Sequence, residues 1–435
     1  MDPSLTFGLE AVLAILLVLW ILCAKPEYGL FLYGLALGFP DIAIPLGTAT
    51  NIRLDDGLIL LFLLRSIMWT PAPLAPGQRK ILGWQALLFL VCFFSAAFQF
   101  AGGTPPAAYE TVKMIGCAVI VLVLPRLVQS ERRLRFLIAG LMCGGIALSI
   151  QILEHLGASS ADISANFQEL KNAATFTTWN PNTIGQAAML VVFAAGLGGI
   201  IFPRSRATRI FWPCLAMGFA LIPALMFVRG TSLSIAGGFV LFLCLSRRWK
   251  WVLVFLAVCL STVLCLRSAD RELVDGAIHV DLGTGEGLSH RYDRWEMAIE
   301  AIKAKPFLGQ GFGREWTYLR DVGSEGRAHN AYLSVWIELG LGGLSLLLAV
   351  VYQFASVGLS LYRTPQFQLC GALILALIFA ACLDSFGLPT LYWEKLPTIS
   401  MSIAVALVGI CERNHAETVP QRVRAPGMES LPQHS

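Results

Sequence analysis

The sequence predicts an all-α fold: a polytopic transmembrane bundle of about 12–13 spans with one long extramembrane loop containing short amphipathic helices. Three observations predict it. Of 435 residues, 56% are hydrophobic and only 14% charged, against about 25% charged in an average soluble domain. Mean hydropathy is +0.68, and a soluble fold of this length needs far more polar residues to cover its surface. The apolar residues also fall in blocks of helix-spanning length, without the alternation of a transmembrane barrel. This composition excludes disorder, a collagen-like repeat and a secreted disulfide scaffold.

Thirteen blocks are candidate spans, at 8–24, 28–46, 56–70, 83–101, 113–127, 135–156, 183–202, 210–228, 231–246, 250–267, 331–361, 368–386 and 396–411. Two are weak: 28–46 is interrupted at Phe39-Pro40-Asp41, and 396–411 is short. The first block lacks a basic leader and a small-residue cleavage site, so it is expected to be a retained helix. The chain thus divides into N-terminal transmembrane helices (1–267), a polar loop (268–330), C-terminal transmembrane helices (331–411) and a disordered tail (412–435). All 11 cysteines lie in or beside apolar blocks, which marks them as small buried hydrophobes. Arginine and lysine concentrate at 126–135, 204–209 and 247–250, and by the positive-inside rule those loops and the tail are cytoplasmic. The long loop, with the loops near 157–182, 229–231 and 387–395, then lies on the opposite face. A net charge of +4 is too small for a nucleic-acid surface.

Three clusters on that opposite face carry chemistry. Arg229 sits between two apolar blocks, with only Gly230 separating it from the next span. The ordinary reading is a snorkelling anchor. A tight turn instead holds the guanidinium against the bundle, where its fork of donors suits phosphate oxygens. The second cluster runs from His290 through Arg291, Arg294 and Trp295 to Pro306. Trp295, Ala298, Ile299 and Ile302 repeat at helical spacing and predict a surface-lying helix that ends before Pro306. Arg291 and Trp295, four apart, share one side of it. The glycine-rich run from Phe307 to Gly313 lacks the Lys-Ser/Thr of a nucleotide-binding loop and reads as a tight turn. In the third cluster, Asn330 stands where a helix N-cap belongs, with His329 before it and Tyr332 after it. A loop histidine is commonly incidental. Near arginines and a helix N-terminus it stays neutral and can accept a proton. A fourth element, Asn180-Pro181-Asn182, reads first as a turn capping the next helix, while its amides could also bind sugar hydroxyls. No His-Glu-x-x-His, Cys-x-x-Cys or acidic triplet occurs, so neither a metal nor another cofactor is expected.

These residues resemble the O-antigen ligase and O-antigen polymerase superfamily of bacterial membrane glycosyltransferases. The resemblance rests on Arg229-Gly230 after an apolar span, and on Arg291, Trp295, Pro306, Gly309 and Gly311 in order. It continues with His329-Asn330-x-Tyr332-Leu333, followed by Glu338-x-Gly340, and with Asn180 to Asn182 before a span. Val228 stands where the family usually has a serine. The resemblance implies a metal-independent, inverting enzyme of the bacterial inner membrane, with its active site and long loop on the periplasmic face. It would move a glycan from a polyprenyl-diphosphate lipid such as undecaprenyl diphosphate to an acceptor hydroxyl. That acceptor is a growing polysaccharide or the lipid A core of lipopolysaccharide, in preference to a protein. The implied roles are His329 as general base and Arg229 and Arg291 as stabilisers of the diphosphate leaving group. Asn330, Asn180, Asn182, Arg294, Trp295 and Tyr332 would contact substrate. The partners implied are the lipid-linked donor, the glycan or lipid acceptor and membrane lipid, with no nucleic acid. A lipid-linked oligosaccharide flippase is the alternative. It calls for charges along a central path and often for inverted repeats. Here no internal repeat is evident, and intramembrane charges are few: Arg65, Glu338 and Asp384.

Overall fold

The computed structural model describes residues 25–37, 43–45, 51–68, 73–103, 108–159, 181–202, 205–225, 228–255, 257, 261, 286–321, 327–388, 391 and 394–418. The block at 8–24, Asn180 and the chain beyond 418 lie outside them. The described helices are α1 (Pro26–Ala36), α2 (Leu54–Met68), α3 (Pro76–Ala101), α4 (Ala108–Leu127), α5 (Glu131–Ser159), α6 (Pro181–Ile201), α7 (Arg206–Leu225) and α8 (Arg229–Leu245). They continue with α9 (Glu286–Ala304), α10 (Glu315–Asp321), α11 (Ala331–Arg363), α12 (Gln368–Asp384) and α13 (Lys395–Thr418). Among the described residues six helices are long and apolar enough to cross a membrane, and the apolar stretches of α7 and α8 are shorter. The class is helical and polytopic, as composition requires.

Three boundaries depart from the sequence reading. The block at 28–46 is not one helix: α1 ends at Ala36, and Ala43–Pro45 (β1) pairs antiparallel with Asn51–Arg53 (β2). The sequence places Pro40 beyond that end, a residue that cannot donate to a helical ladder. This small hairpin is the one exception to all-α among the described residues. Helix α8 begins at Arg229 itself, so that arginine opens a helix and does not sit in a turn. Helix α13 runs past Cys411 to Thr418.

Helix α13 is the axis of the bundle. Ile403 through Ala406 and Val408 are fully buried, and α3, α4 and α6 pack around it. Its charged ends serve its neighbours. Glu412 accepts both hydrogen bonds from the Gly77 amide at the start of α3 (3.1 and 2.9 Å), and Glu394 pairs with Lys113 of α4 at 2.7 Å. A carboxylate at a helix N-terminus satisfies otherwise orphaned donors. A second group is built from α6, α7, α8, α11 and α12, with α8 and α11 both laid against α12.

Helix α11 is interrupted at Gly340, whose φ of 67° and ψ of −166° are not helical. The break is filled by the glycine-rich turn that follows α9. The Gln310 amide donates to the Ile337 carbonyl (2.6 Å), the Gly311 amide to Glu338 (2.9 Å), and the Leu341 amide to Pro306 (2.8 Å). Trp336 Nε1 donates to the Pro306 carbonyl at 3.0 Å. The Ile337 and Glu338 carbonyls and the Leu341 amide thus gain partners at the break, as a low-dielectric interior demands. A Cβ on Gly340 would collide with the Phe307 carbonyl. Gly340→Ala should therefore destabilise the protein by about 1–3 kcal/mol or more from backbone strain alone. Gly342→Ala, where nothing lies within 4 Å, should be neutral or slightly stabilising. Thermal unfolding followed by tryptophan fluorescence compares the two, and equal midpoints would contradict this account.

Candidate functional site

Four helix ends meet where the sequence clusters converge. The Ala331 amide, first in α11, donates to the Ser385 carbonyl just past the end of α12 at 2.9 Å. One residue earlier, Asp384 accepts the Thr231 hydroxyl from the first turn of α8 at 2.7 Å, a buried bond. Gly185 in the first turns of α6 sits against the Val228 and Thr231 side chains; an added Cβ would approach them within 3.1 and 3.2 Å. The starts of α6, α8 and α11 and the end of α12 therefore share one region. Three helix N-termini face it, and each favours negative charge.

His329 and Asn330 begin α11 there. Asn330 is the N-cap: its Oδ1 accepts from the Tyr332 and Leu333 amides at 3.0 and 3.2 Å, with φ of −146° and ψ of 113°. The cap oxygen thus serves the helix, and the side-chain NH₂ is what Asn330 can offer a ligand. His329 has a φ of 50°, an uncommon left-handed conformation for a residue other than glycine. It is half-buried. Backbone strain of this kind persists only where its surroundings fix it.

The surroundings do fix it, from three sides. Trp295 of α9 donates through Nε1 to the Ala328 carbonyl at 2.9 Å. The Ala328 amide donates to Glu315 Oε1 at 2.9 Å, and the same oxygen accepts the Ser334 hydroxyl at 2.8 Å. Arg327 forms an ion pair with Glu110 in the first turn of α4. Glu315 is buried in α10, and burial pushes its carboxyl above the usual range, against the lowering by the Ala328 amide, Arg327 and Ser334. For Arg327, burial alone pulls the guanidinium down. The carboxylate of Glu110, with Glu315 and Glu338 behind it, more than reverses that and holds it firmly charged.

Helix α9 ends at Ala304, ahead of Pro306 as its sequence predicts. Its buried stripe is Ala298, Ala301 and Ile302, packed with Leu319, Ala328 and Ile337. Ile299 is 45% exposed and off that stripe, a correction to the predicted face. The stripe turns about 100° per residue, so Ile299 cannot follow both Ala298 and Ala301 inward. Arg291 lies one turn before Trp295, about 6 Å along the axis. Arg294 is half-buried beside it. Tyr332 donates to the Cys382 carbonyl at 3.2 Å and stacks on Phe386 at 5.0 Å, tying α11 to α12. Asn182 is half-buried at the start of α6. The backbone of Arg229 opens α8 and that of Arg291 lies within α9, while their side chains lie outside what the structure describes. Among the described residues no three His, Cys, Asp or Glu side chains gather as a metal site.

Sequence reading noted Asp384 only as an intramembrane charge and gave no site role to Glu315, Glu110 or Thr231. Glu110 and Asp384 carry a faint signal as carboxylates at the edges of apolar helices. Glu315 carries none, being one of eleven acidic residues in the polar loop.

The fold and site define a multi-pass helical membrane protein whose cationic and imidazole-bearing segments gather at helix N-termini. Residues 219–348 match the family model described as O-Antigen ligase, and the match supports the O-antigen ligase superfamily for this chain. It runs from α7 through Arg229, Arg291, Trp295, His329 and Asn330 into the middle of α11, and it suggests glycosyltransferase activity. No curated protein matches the chain.

Glu315→Ala leaves the Ala328 amide without its acceptor and should cost about 1–3 kcal/mol, whereas Glu315→Gln, which keeps an acceptor oxygen, should restore most of it. Because the Glu315 pKa is raised on folding, the folded chain binds a proton that the unfolded chain has released. Stability from this group therefore falls as pH rises from the ordinary carboxylate range through the raised value. Glu315→Gln should flatten that slope in thermal midpoints measured across pH, and a slope unchanged by the substitution would contradict the assignment.

Proposed function

We propose that the protein transfers a glycan from a polyprenyl-diphosphate lipid to an acceptor hydroxyl at the region where α6, α8 and α11 begin. The observation that carries this reading is the convergence of three helix N-termini around the segment bearing His329, with Arg229 opening one of those helices. Cleavage of the anomeric C–O bond leaves negative charge on the lipid diphosphate. Helix N-termini and guanidinium groups are the electrostatic partners that charge requires. Arg229 and Arg291 take that role, and the apolar spans hold the lipid tail.

The acceptor hydroxyl is a poor nucleophile. A neutral imidazole within hydrogen-bond reach takes its proton as the new C–O bond forms and contributes about 10²–10⁴-fold. His329 is that base. Its left-handed backbone and the anchoring of Ala328 by Trp295 and Glu315 support a fixed position for the ring. Direct displacement inverts the anomeric configuration. The donor carries its energy in the diphosphate linkage, so no nucleotide is needed. Arg294, Trp295, Tyr332, Asn330, Asn180 and Asn182 are proposed to contact the sugars, and the acceptor to be a growing polysaccharide or the lipid A core.

In a reconstituted assay with a polyprenyl-diphosphate glycan, His329→Ala should lower transfer at least about 100-fold while donor binding persists. Near-normal turnover would remove His329 from the mechanism. Arg291→Lys should also impair transfer, because a point charge replaces a bidentate fork. Full activity of the lysine variant would assign Arg291 a surface role. Activity should survive chelation, and loss restored by a divalent ion would contradict the reading. Offering each acceptor class and identifying the product by mass decides between them.

A further inference from the structure

A cavity of about 600 Å³ lies between α6, α7, α8 and α12. Its mouth is lined by Ile200 near the end of α6, Phe242 near the end of α8 and Leu369 at the start of α12, and its inner end reaches Met189, Ile235 and Ala380, about one turn from Gly185, Thr231 and Asp384. The site described above involves the opposite ends of these same helices. Helix α8 spans 17 residues between the two regions, roughly 25 Å, close to the thickness of a hydrocarbon core. The mouth of the cavity therefore lies at the other end of the bundle from His329.

Its walls are apolar and its rim is not. Arg248 and Trp251 line the cavity and are exposed, with Arg247, Trp249 and Lys250 exposed in the same stretch of chain. Among the described residues none of these three cations is given a carboxylate partner. Tryptophan beside Lys and Arg is the composition of a membrane interface, and basic pockets between transmembrane helices take anionic headgroups. Arg247 adds a specific oddity. It closes α8 in the position glycine prefers, with a φ of 56°, its amide on the Cys244 carbonyl and the Arg248 amide on Leu243. An arginine is held there against the conformational preference of its backbone. Deeper in, Trp212 is 8% exposed and lines the cavity, and its Nε1 has no hydrogen-bond partner among the described residues. The Cε3–Cζ3 edge of that indole rests against Gly198, so Nε1 points away from α6. A buried indole N–H ordinarily finds an acceptor.

We propose that this cavity binds one acyl chain of an anionic glycerophospholipid, its phosphate on Arg247, Arg248 and Lys250 and an ester carbonyl accepting from Trp212. A volume of this size is that of a ligand pocket. The ester and phosphate oxygens distinguish this occupant from a bare isoprenoid tail, which offers no acceptor at the depth of Trp212. The site is independent of the glycan-transfer reading, since the cations that would hold the phosphate lie at the opposite end of α8 from Arg229 and Thr231.

The test uses the purified full chain, delipidated in detergent, with thermal midpoint as readout. Phosphatidylglycerol should raise the midpoint in a saturable way, and phosphatidylcholine with the same acyl chains should do so only weakly. Ala216→Phe, which fills the cavity from α7, and Arg248→Gln should each weaken the phosphatidylglycerol response by about tenfold in apparent affinity. Arg247→Gly suits the left-handed backbone, so it should fold at least as well while weakening the response, which keeps the test open if Ala216→Phe disturbs packing. Equal responses to the two phospholipids, or an unchanged response in the arginine variants, would overturn the proposal. Polyprenyl phosphate competing as well as phosphatidylglycerol would overturn it too, and would assign the cavity to an isoprenoid chain.

Discussion

The carbonyls of Ile337 and Glu338, released where α11 unwinds at Gly340, are the point on which the loop region is hung. In an apolar bundle an unpaired carbonyl costs several kcal/mol. The turn after α9 supplies the missing donors from Gln310 and Gly311. That contact brings the turn after α9 onto a helix long and apolar enough to cross a membrane and fixes where α9 lies. From there Trp295 reaches the Ala328 carbonyl, and Ala328 leads directly into His329 and the capped start of α11. A helix break thus does positional work at a distance, through a chain of satisfied backbone groups.

Around that chain the charges are arranged to hold a shape. Glu110 neutralises Arg327 from a different helix, and Glu315 spends one buried oxygen on two donors of the segment that carries His329. Taking carboxylates out of water is expensive, and such groups persist where several hydrogen bonds repay the desolvation. Here the return is a left-handed backbone at His329 and an N-cap at Asn330 kept in register with the end of α12. The family match begins in α7 and ends within α11, so it contains Arg327 and Glu315 as well as Arg229, Arg291, Trp295, His329, Asn330 and Glu338, while Asn180 to Asn182 lie outside it. Glu110, the partner from α4, lies outside it.

The helix ends give the region its electrostatic character. Thr231 and Asp384 stitch α8 to α12, and the Ala331 amide stitches α11 to the same place. These bonds align N-terminal dipoles that would otherwise be scattered over the bundle surface. At the far end of α8 the polarity is reversed: the helix C-terminus is met by Arg247, Arg248 and Lys250, the residues that suit its partial negative charge.

Periodicity and composition alone determined the helical membrane class, the places where most spans begin, the end of α9 before Pro306 and the capping role of Asn330. Each of these depends on local physics: hydrogen-bond self-sufficiency in lipid, the missing amide of proline, and the side-chain oxygen of asparagine. The glycines at 309, 311 and 340 were legible as turn residues, but not as two halves of one junction. Only the tertiary structure decided that the break in α11 receives the loop, that Glu315 is buried where Asp293, Glu296, Glu300 and Asp321 are exposed, and that Ile299 faces outward. It alone decided that α6, α8 and α11 start together. Those facts depend on contacts between residues far apart in sequence, and no local pattern of charge or hydropathy encodes which distant carbonyl an amide will meet.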